Sequence, residues 1–194
     1  GTVMLPKVSR MTRMKQMDAV KRHIRLSMEL VMCMVCAMAF GLAAVAVNFA
    51  PLFYGDDFAY SGTLMMPLAF TLLSIGFANV IRTQWVLPQG RDTIFVHSVL
   101  TGAVINLIAN FVLIPPFGAM GAAAATVLAE FSVPAVQFVY LRKELPYAQY
   151  LKTTGVYCLF GLVMAGAVVL LGYVLPLHGW GKLAVQVTGG AAVY

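Results

Sequence analysis

Long apolar runs separated by short polar punctuation run through the whole chain. Five of them, at about 26–53, 62–87, 94–114, 119–141 and 154–175, reach the length of ~20 predominantly apolar residues with which an α-helix crosses a ~30 Å hydrocarbon core. The segments between them carry turn chemistry: Tyr54-Gly55-Asp56-Asp57, Pro88-Gln89-Gly90-Arg91-Asp92, Pro115-Pro116-Phe117-Gly118, Lys143-Glu144-Leu145-Pro146 and His178-Gly179-Trp180-Gly181. Connections this short make successive helices antiparallel neighbours. The pattern predicts an all-α fold, a polytopic transmembrane helical bundle. Two shorter apolar pieces flank it: residues 1–6 read as the end of a truncated span and 183–194 as the start of another. The chain is therefore expected to be a fragment of a larger membrane protein.

Composition agrees with lipid as the solvent. Of 194 residues, 61% are hydrophobic and only 10% charged, too little polar surface to coat a water-soluble globule. Charge adds orientation. Lys7, Arg10, Arg13, Lys15, Lys21, Arg22 and Arg25 precede the first span; Arg91, with Arg82 just inside, marks the second connection; Arg142, Lys143 and Lys152 mark the fourth. The alternate connections hold only Lys182. Because Lys and Arg near span ends favour the cytoplasm, this predicts a multi-pass protein of the inner (cytoplasmic) membrane whose first, third and fifth connections are extracytoplasmic. Residues 9–25 place Met11, Met14, Met17, Val20 and Ile24 at helical spacing opposite a basic face, and are expected to form an amphipathic helix along the inner leaflet, in contact with membrane lipids. No nucleic-acid partner is expected.

Polar groups inside the spans are the informative ones, since a charge at the bilayer centre costs about 2.5–3.5 kcal/mol even on lenient scales. Glu130 falls near the midplane of the fourth span, ~17 Å from its outer end at the α-helical rise. Four residues on, Pro134 has no N–H for the Glu130 carbonyl, which predicts a kink and a freed acceptor beside the carboxyl. Interrupted helices with such groups at mid-depth serve transporters as proton or cation sites. Asn106 and Asn110 share one face of the third span, at a similar depth, and suit either packing or cavity lining. Arg82 and Gln84 lie near the inner end of the second span, where Arg82 is placed either to meet a phosphate in a wet cavity or to snorkel to headgroups.

Other motifs are weaker. Cys33 and Cys36 have redox spacing, but they sit in an apolar helix and, with Cys158, make an odd count, so they read as small buried hydrophobes. Asp56 and Asp57 read as solvated turn residues, and Gly118, Gly121, Ala122 and Ala125 as small-residue helix contacts. Neither a phosphate-cradling Gly-rich loop nor a Gly-x-Ser-x-Gly elbow occurs. No catalytic residue, metal site or cofactor is expected, and the chain is not read as an enzyme.

Five segments in order then resemble one family: Gly1-Thr2-Val3-Met4-Leu5-Pro6-Lys7-Val8-Ser9-Arg10; Leu52-Phe53-Tyr54-Gly55-Asp56-Asp57-Phe58; Gln84-Trp85-Val86-Leu87-Pro88-Gln89-Gly90-Arg91; Asn106-Leu107-Ile108-Ala109-Asn110-Phe111-Val112-Leu113-Ile114-Pro115; and Phe117-Gly118-Ala119-Met120-Gly121-Ala122-Ala123 on to Glu130. Over about residues 1–141 the chain resembles the C-terminal lobe of polysaccharide flippases, the O-antigen and capsule repeat-unit branch of the multidrug/oligosaccharidyl-lipid/polysaccharide exporter superfamily. The resemblance implies one lobe of a two-lobe alternating-access transporter, partnered by an N-terminal lobe of the same polypeptide. It implies a polyprenyl-diphosphate-linked oligosaccharide as substrate, with Arg82 attracting the diphosphate, Gln84, Asn106 and Asn110 lining the sugar path and Glu130 coupling a proton. Two alternatives stand beside it: a cation-coupled multidrug exporter of the same superfamily, and a membrane-embedded glycan polymerase or ligase, against which the short outer connections argue.

Overall fold

The structure, a computed structural model, describes residues 17–174 and 179–194, and these form a helical bundle without strands among the described residues. Its helices are α1 (Met17–Tyr54), α2 (Ala59–Ala69), α3 (Thr71–Ile81), α4 (Asp92–Phe117), α5 (Ala119–Leu141), α6 (Tyr147–Val174) and α7 (Gly179–Val193). Five segments are long and apolar enough to cross a membrane: α1, the composite Asp56–Gln89 that contains α2 and α3, α4, α5 and α6. The end of a span expected at 1–6, the basic residues Lys7, Arg10, Arg13 and Lys15, the apolar Met11 and Met14, and His178 all lie outside the described residues.

α1 departs from the sequence reading at its start. Met17 to Arg25, expected along the inner leaflet, are the first turns of α1 itself. The reason is a stripe at four-residue intervals, Val20, Ile24, Met28, Met32 and Cys36, whose members are at most 1% exposed. It continues unbroken from the basic segment into the span and packs against Phe77, Ile81, Trp85, Leu141 and Tyr150. The apolar face thus meets protein, and the continuous helix keeps it in register there. The opposite side of α1, with Leu26, Leu30, Met34 and Met38, is exposed.

α4 and α5 form a tight antiparallel hairpin. Pro115 and Pro116 do not end α4 at residue 114: they sit in its last turn, and the helix runs to Phe117. Gly118, at φ 55°, makes the turn and donates its N–H to the Ile114 carbonyl over 2.7 Å. Gly121 then lets α5 lie so close that a Cβ there would run into the Leu113–Ile114 backbone. α4 has α5 as its main neighbour, and α5 docks the pair onto α2 and α3. On the far side of α1, α6 and α7 pack together, joined by Gln186, whose Nε2 donates to the Val168 carbonyl while its Oε1 accepts from Asn48.

Candidate substrate groove

The second span is broken twice, and both breaks follow from prolines. Pro67 has no N–H for the carbonyl one turn back, and the helix gives way at Phe70, where the Thr71 hydroxyl donates to the Leu68 carbonyl over 2.7 Å. Pro88 in turn cannot donate to the Gln84 carbonyl, and Arg82–Val86 widen into a π-helical turn in which the Leu87 N–H reaches the Arg82 carbonyl. The Gln89 side chain serves the Trp85 carbonyl, and Gly90, at φ 67°, ends the element.

α3, α4 and α5 then wall an open-sided groove of about 580 Å³ whose polar lining includes Asn79, Arg82, Asn106, Thr126, Glu130 and Gln137. Levels along it follow from contacts, with inward and outward naming the Arg91 and Gly118 ends of the bundle, the sides that the charge pattern predicts to be cytoplasmic and extracytoplasmic. The Ser74 hydroxyl of α3 donates to the Glu130 carbonyl of α5, and Gly102 of α4 packs at the level of Ala129 and Val133. Arg82 lies eight residues inward of Ser74 and Gln137 seven residues inward of Glu130 on helices running the same way, so both stand ~10–12 Å inward of the carboxylate. Asn106, one turn outward of Gly102, stands near Thr126.

Arg82 lines the groove and is fixed there. Its Nη2 donates to Asn79 Oδ1 over 2.9 Å, and its guanidinium carbon lies 4.7 Å from the centre of the Phe95 ring. Its Nε is buried without a partner among the described residues. The half-buried Glu130 carboxylate also has no partner among the described residues, and it forms no ion pair with Arg82. The groove therefore carries one basic and one acidic side chain at different depths, with no ion pair between them.

The other expected residues are placed less simply. Asn110 donates to Asn106 Oδ1 over 3.0 Å; it orients Asn106 from one turn farther out and does not itself line the groove. Gln84 does not line it either: it is 6% exposed and sits two residues past Arg82, roughly half a turn round the widened helix and so on the opposite face. Around Pro134, α5 runs on as one helix, and the carbonyl expected to be free accepts from Ser74 instead. Pro134 lines a separate apolar hollow behind α5, with Phe131, Phe138 and Leu151.

Ser74, Asn79, Phe95, Thr126 and Gln137 were not singled out in the sequence. Gln137 carried a readable signal, since Thr126, Glu130, Val133 and Gln137 recur at helical spacing on one face of α5. Phe95 carried none, because an aromatic residue in a span is ordinary. Cys36 faces Cys158 at 3.7 Å across α1 and α6 rather than pairing with Cys33, and all three cysteines are free. Among the described residues no group of His, Cys, Asp and Glu is arranged to hold a metal.

At the inner end, Glu144 ties the connection after α5 to the one before α4. It accepts from Arg91 Nη1 at 2.6 Å and from the Trp85 indole at 3.0 Å. Partial burial pushes its pKa up, but the hydrogen bonds from Arg91 and Trp85, with the charges of Arg91 and Lys21, outweigh that and hold the pKa below its ordinary value.

A model of the family described as lipid II flippase MurJ matches residues 1–187. The chain belongs to the MurJ family. Comparisons with curated proteins and with solved structures give no match. MurJ membership makes the chain part of a lipid-linked precursor flippase of the exporter superfamily, a transporter rather than an enzyme, and a multi-pass membrane protein. Within that superfamily the matching family is the MurJ one, not specifically the O-antigen and capsule branch that the motifs resembled.

Proposed function

We propose that the chain is one lobe of an alternating-access flippase that carries a polyprenyl-diphosphate-linked glycan from the inner to the outer leaflet of the cytoplasmic membrane. The observation that carries the reading is the shared groove of Arg82, Asn106 and Glu130 within the spans, with Arg82 held by Asn79 and Phe95 and its remaining donors unspent. Sugar hydroxyls and a diphosphate cannot cross hydrocarbon unaided, because losing their hydration costs several kcal/mol or more per group, ~2–7 for a hydroxyl alone. A polar groove replaces that hydration. Arg82 attracts the diphosphate, Asn106, oriented by Asn110, meets the sugars, and Glu130 takes up and releases the coupling proton. The N-terminal lobe of the same polypeptide closes the open side.

The family match favours lipid II as the cargo. An oligosaccharide repeat unit, the cargo implied by the motif resemblance, presents the same diphosphate to Arg82 and is the second reading. Depletion of the full-length protein is expected to accumulate the cargo on the cytoplasmic leaflet, and the accumulated lipid tells lipid II from a repeat unit; if neither accumulates, the flippase reading fails. In proteoliposomes a Glu130→Gln variant is expected to lose the pH dependence of transport. Retained pH dependence would remove Glu130 as the proton carrier.

A further inference from the structure

Away from the groove, the Cys36 and Cys158 sulfurs lie 3.7 Å apart across α1 and α6, close enough for a weak S–H···S hydrogen bond. They occupy a close-packed stretch of that seam. About one turn farther along, a Cβ on Gly161 would run into the Phe40 ring, and Gly41 sits against Met164. The two sulfurs are placed differently. Cys36 is fully buried in the apolar stripe of α1, whereas Cys158 is half-buried. Tyr147, Leu151, Thr154 and Cys158 recur at helical spacing along one face of α6, and that face lines the apolar hollow of about 390 Å³ behind α5. Phe131 and Leu151, which also line the hollow, are exposed on the outside of the bundle, so the hollow is open to apolar molecules dissolved in the bilayer.

From this arrangement we infer a thiol-modification site whose co-reactant is an apolar hydroperoxide, with Cys158 as the attacking sulfur and Cys36 as the resolving one. Cys158 Sγ attacks the outer oxygen of the hydroperoxide: an S–O bond forms, the O–O bond breaks, and the thiol proton leaves with the other oxygen as an alcohol. Cys36 Sγ then attacks the sulfenic sulfur of Cys158: the S–S bond forms, the S–O bond breaks, and the Cys36 proton leaves with the hydroxyl as water. Two thiols lose two electrons and the hydroperoxide gains them. Neither step leaves a charge in apolar surroundings, because each departing oxygen carries a thiol proton away. The reaction runs on thiols rather than free thiolates and is correspondingly slow, so it answers to sustained oxidation. Its product ties α1 covalently to α6 and stops the oxidation of Cys158 short of the irreversible sulfinic stage.

The test treats the full-length protein in lipid nanodiscs with cumene hydroperoxide, an apolar probe, then blocks free thiols and maps disulfides by mass spectrometry. A Cys36–Cys158 disulfide that dithiothreitol reverses is expected. Cys36→Ala is expected to abolish it and to leave on Cys158 a sulfenic acid that dimedone traps, whereas Cys158→Ala is expected to leave Cys36 unmodified. Thr154→Phe, which puts a ring into the hollow one turn from Cys158, is expected to slow the cross-link several-fold; Ala135→Phe fills the hollow from α5 if that variant does not assemble. Absence of the disulfide in the wild type, a Cys33–Cys36 bond in its place, or a sulfenic acid trapped on Cys36 in Cys158→Ala overturns the site. An unchanged rate in a folded hollow-filling variant overturns the entry of the oxidant through the hollow.

Discussion

Glu144 shows how a single side chain holds two connections together. Its carboxylate accepts from Arg91 on one connection and from Trp85 at the end of the second span, and its pKa is displaced below the ordinary value of about 4.5. A folded-state value below the unfolded one means that the stabilisation is present above the unfolded value and is lost as pH falls through the folded one. The pair is about one-third exposed, and solvent screening keeps its worth to ~0.5–1 kcal/mol. With every tryptophan but Trp85 replaced by Phe, Trp180 among them, Trp85 emission is expected to shift below pH 4.5 and to be insensitive there in Glu144→Gln. No difference between the two proteins would show that the indole does not report this contact. The sequence revealed Glu144 only as a turn residue; its partners lie 53 and 59 positions away, and no local pattern announces them.

Among the elements, the prolines decided most. Pro134 was legible as a residue that deprives Glu130 of a backbone bond, and its consequence was not, because the replacement donor, Ser74, comes from another helix. Ser74→Ala is expected to leave that carbonyl unpaired and to cost about 1 kcal/mol, between the ~0.6 average for membrane hydrogen bonds and the 1–3 of a buried orphan. Gly121→Val is expected to cost considerably more, since the added atoms meet the Leu113–Ile114 backbone rather than a side chain that can swing aside. Thermal unfolding of the full-length protein in detergent measures both, and a Gly121→Val protein as stable as wild type would refute the close approach. The second span shows the same limit of local reading. Its length and apolarity were plain, but its break at Phe70 and the widened turn at Arg82–Val86 arise from Pro67 and Pro88 acting on carbonyls one turn earlier, within a packed context.

For the whole molecule, exposed apolar side chains are the norm and not an anomaly. Leu100, Leu107 and Phe111 on α4 and Leu170 and Tyr173 on α6 all point outward. Such faces are stable against acyl chains or against another lobe, and α4, packed chiefly on α5, leaves much of its apolar surface of this kind. Sidedness is open to direct measurement. In a variant with Cys33, Cys36 and Cys158 replaced, a cysteine at Asp56 is expected to react with a membrane-impermeant maleimide from outside, and one at Lys143 only after the inner side is opened. The reverse pattern would invert the whole arrangement of groove and charge.

Read alone, the sequence settled the solvent and the class of structure, since apolar content and run length are sums along the chain and a bilayer responds to sums. It also singled out Glu130 and Arg82, because charges are rare in apolar runs. Which polar residues share a groove is not a sum. It depends on the rotational phase of each helix, on the close approach allowed by Gly102 and Gly121, and on the wide turn that follows Arg82. Tertiary packing alone therefore kept Gln84 out of the groove, brought Gln137 to its lining, and gave the Glu130 carbonyl to Ser74.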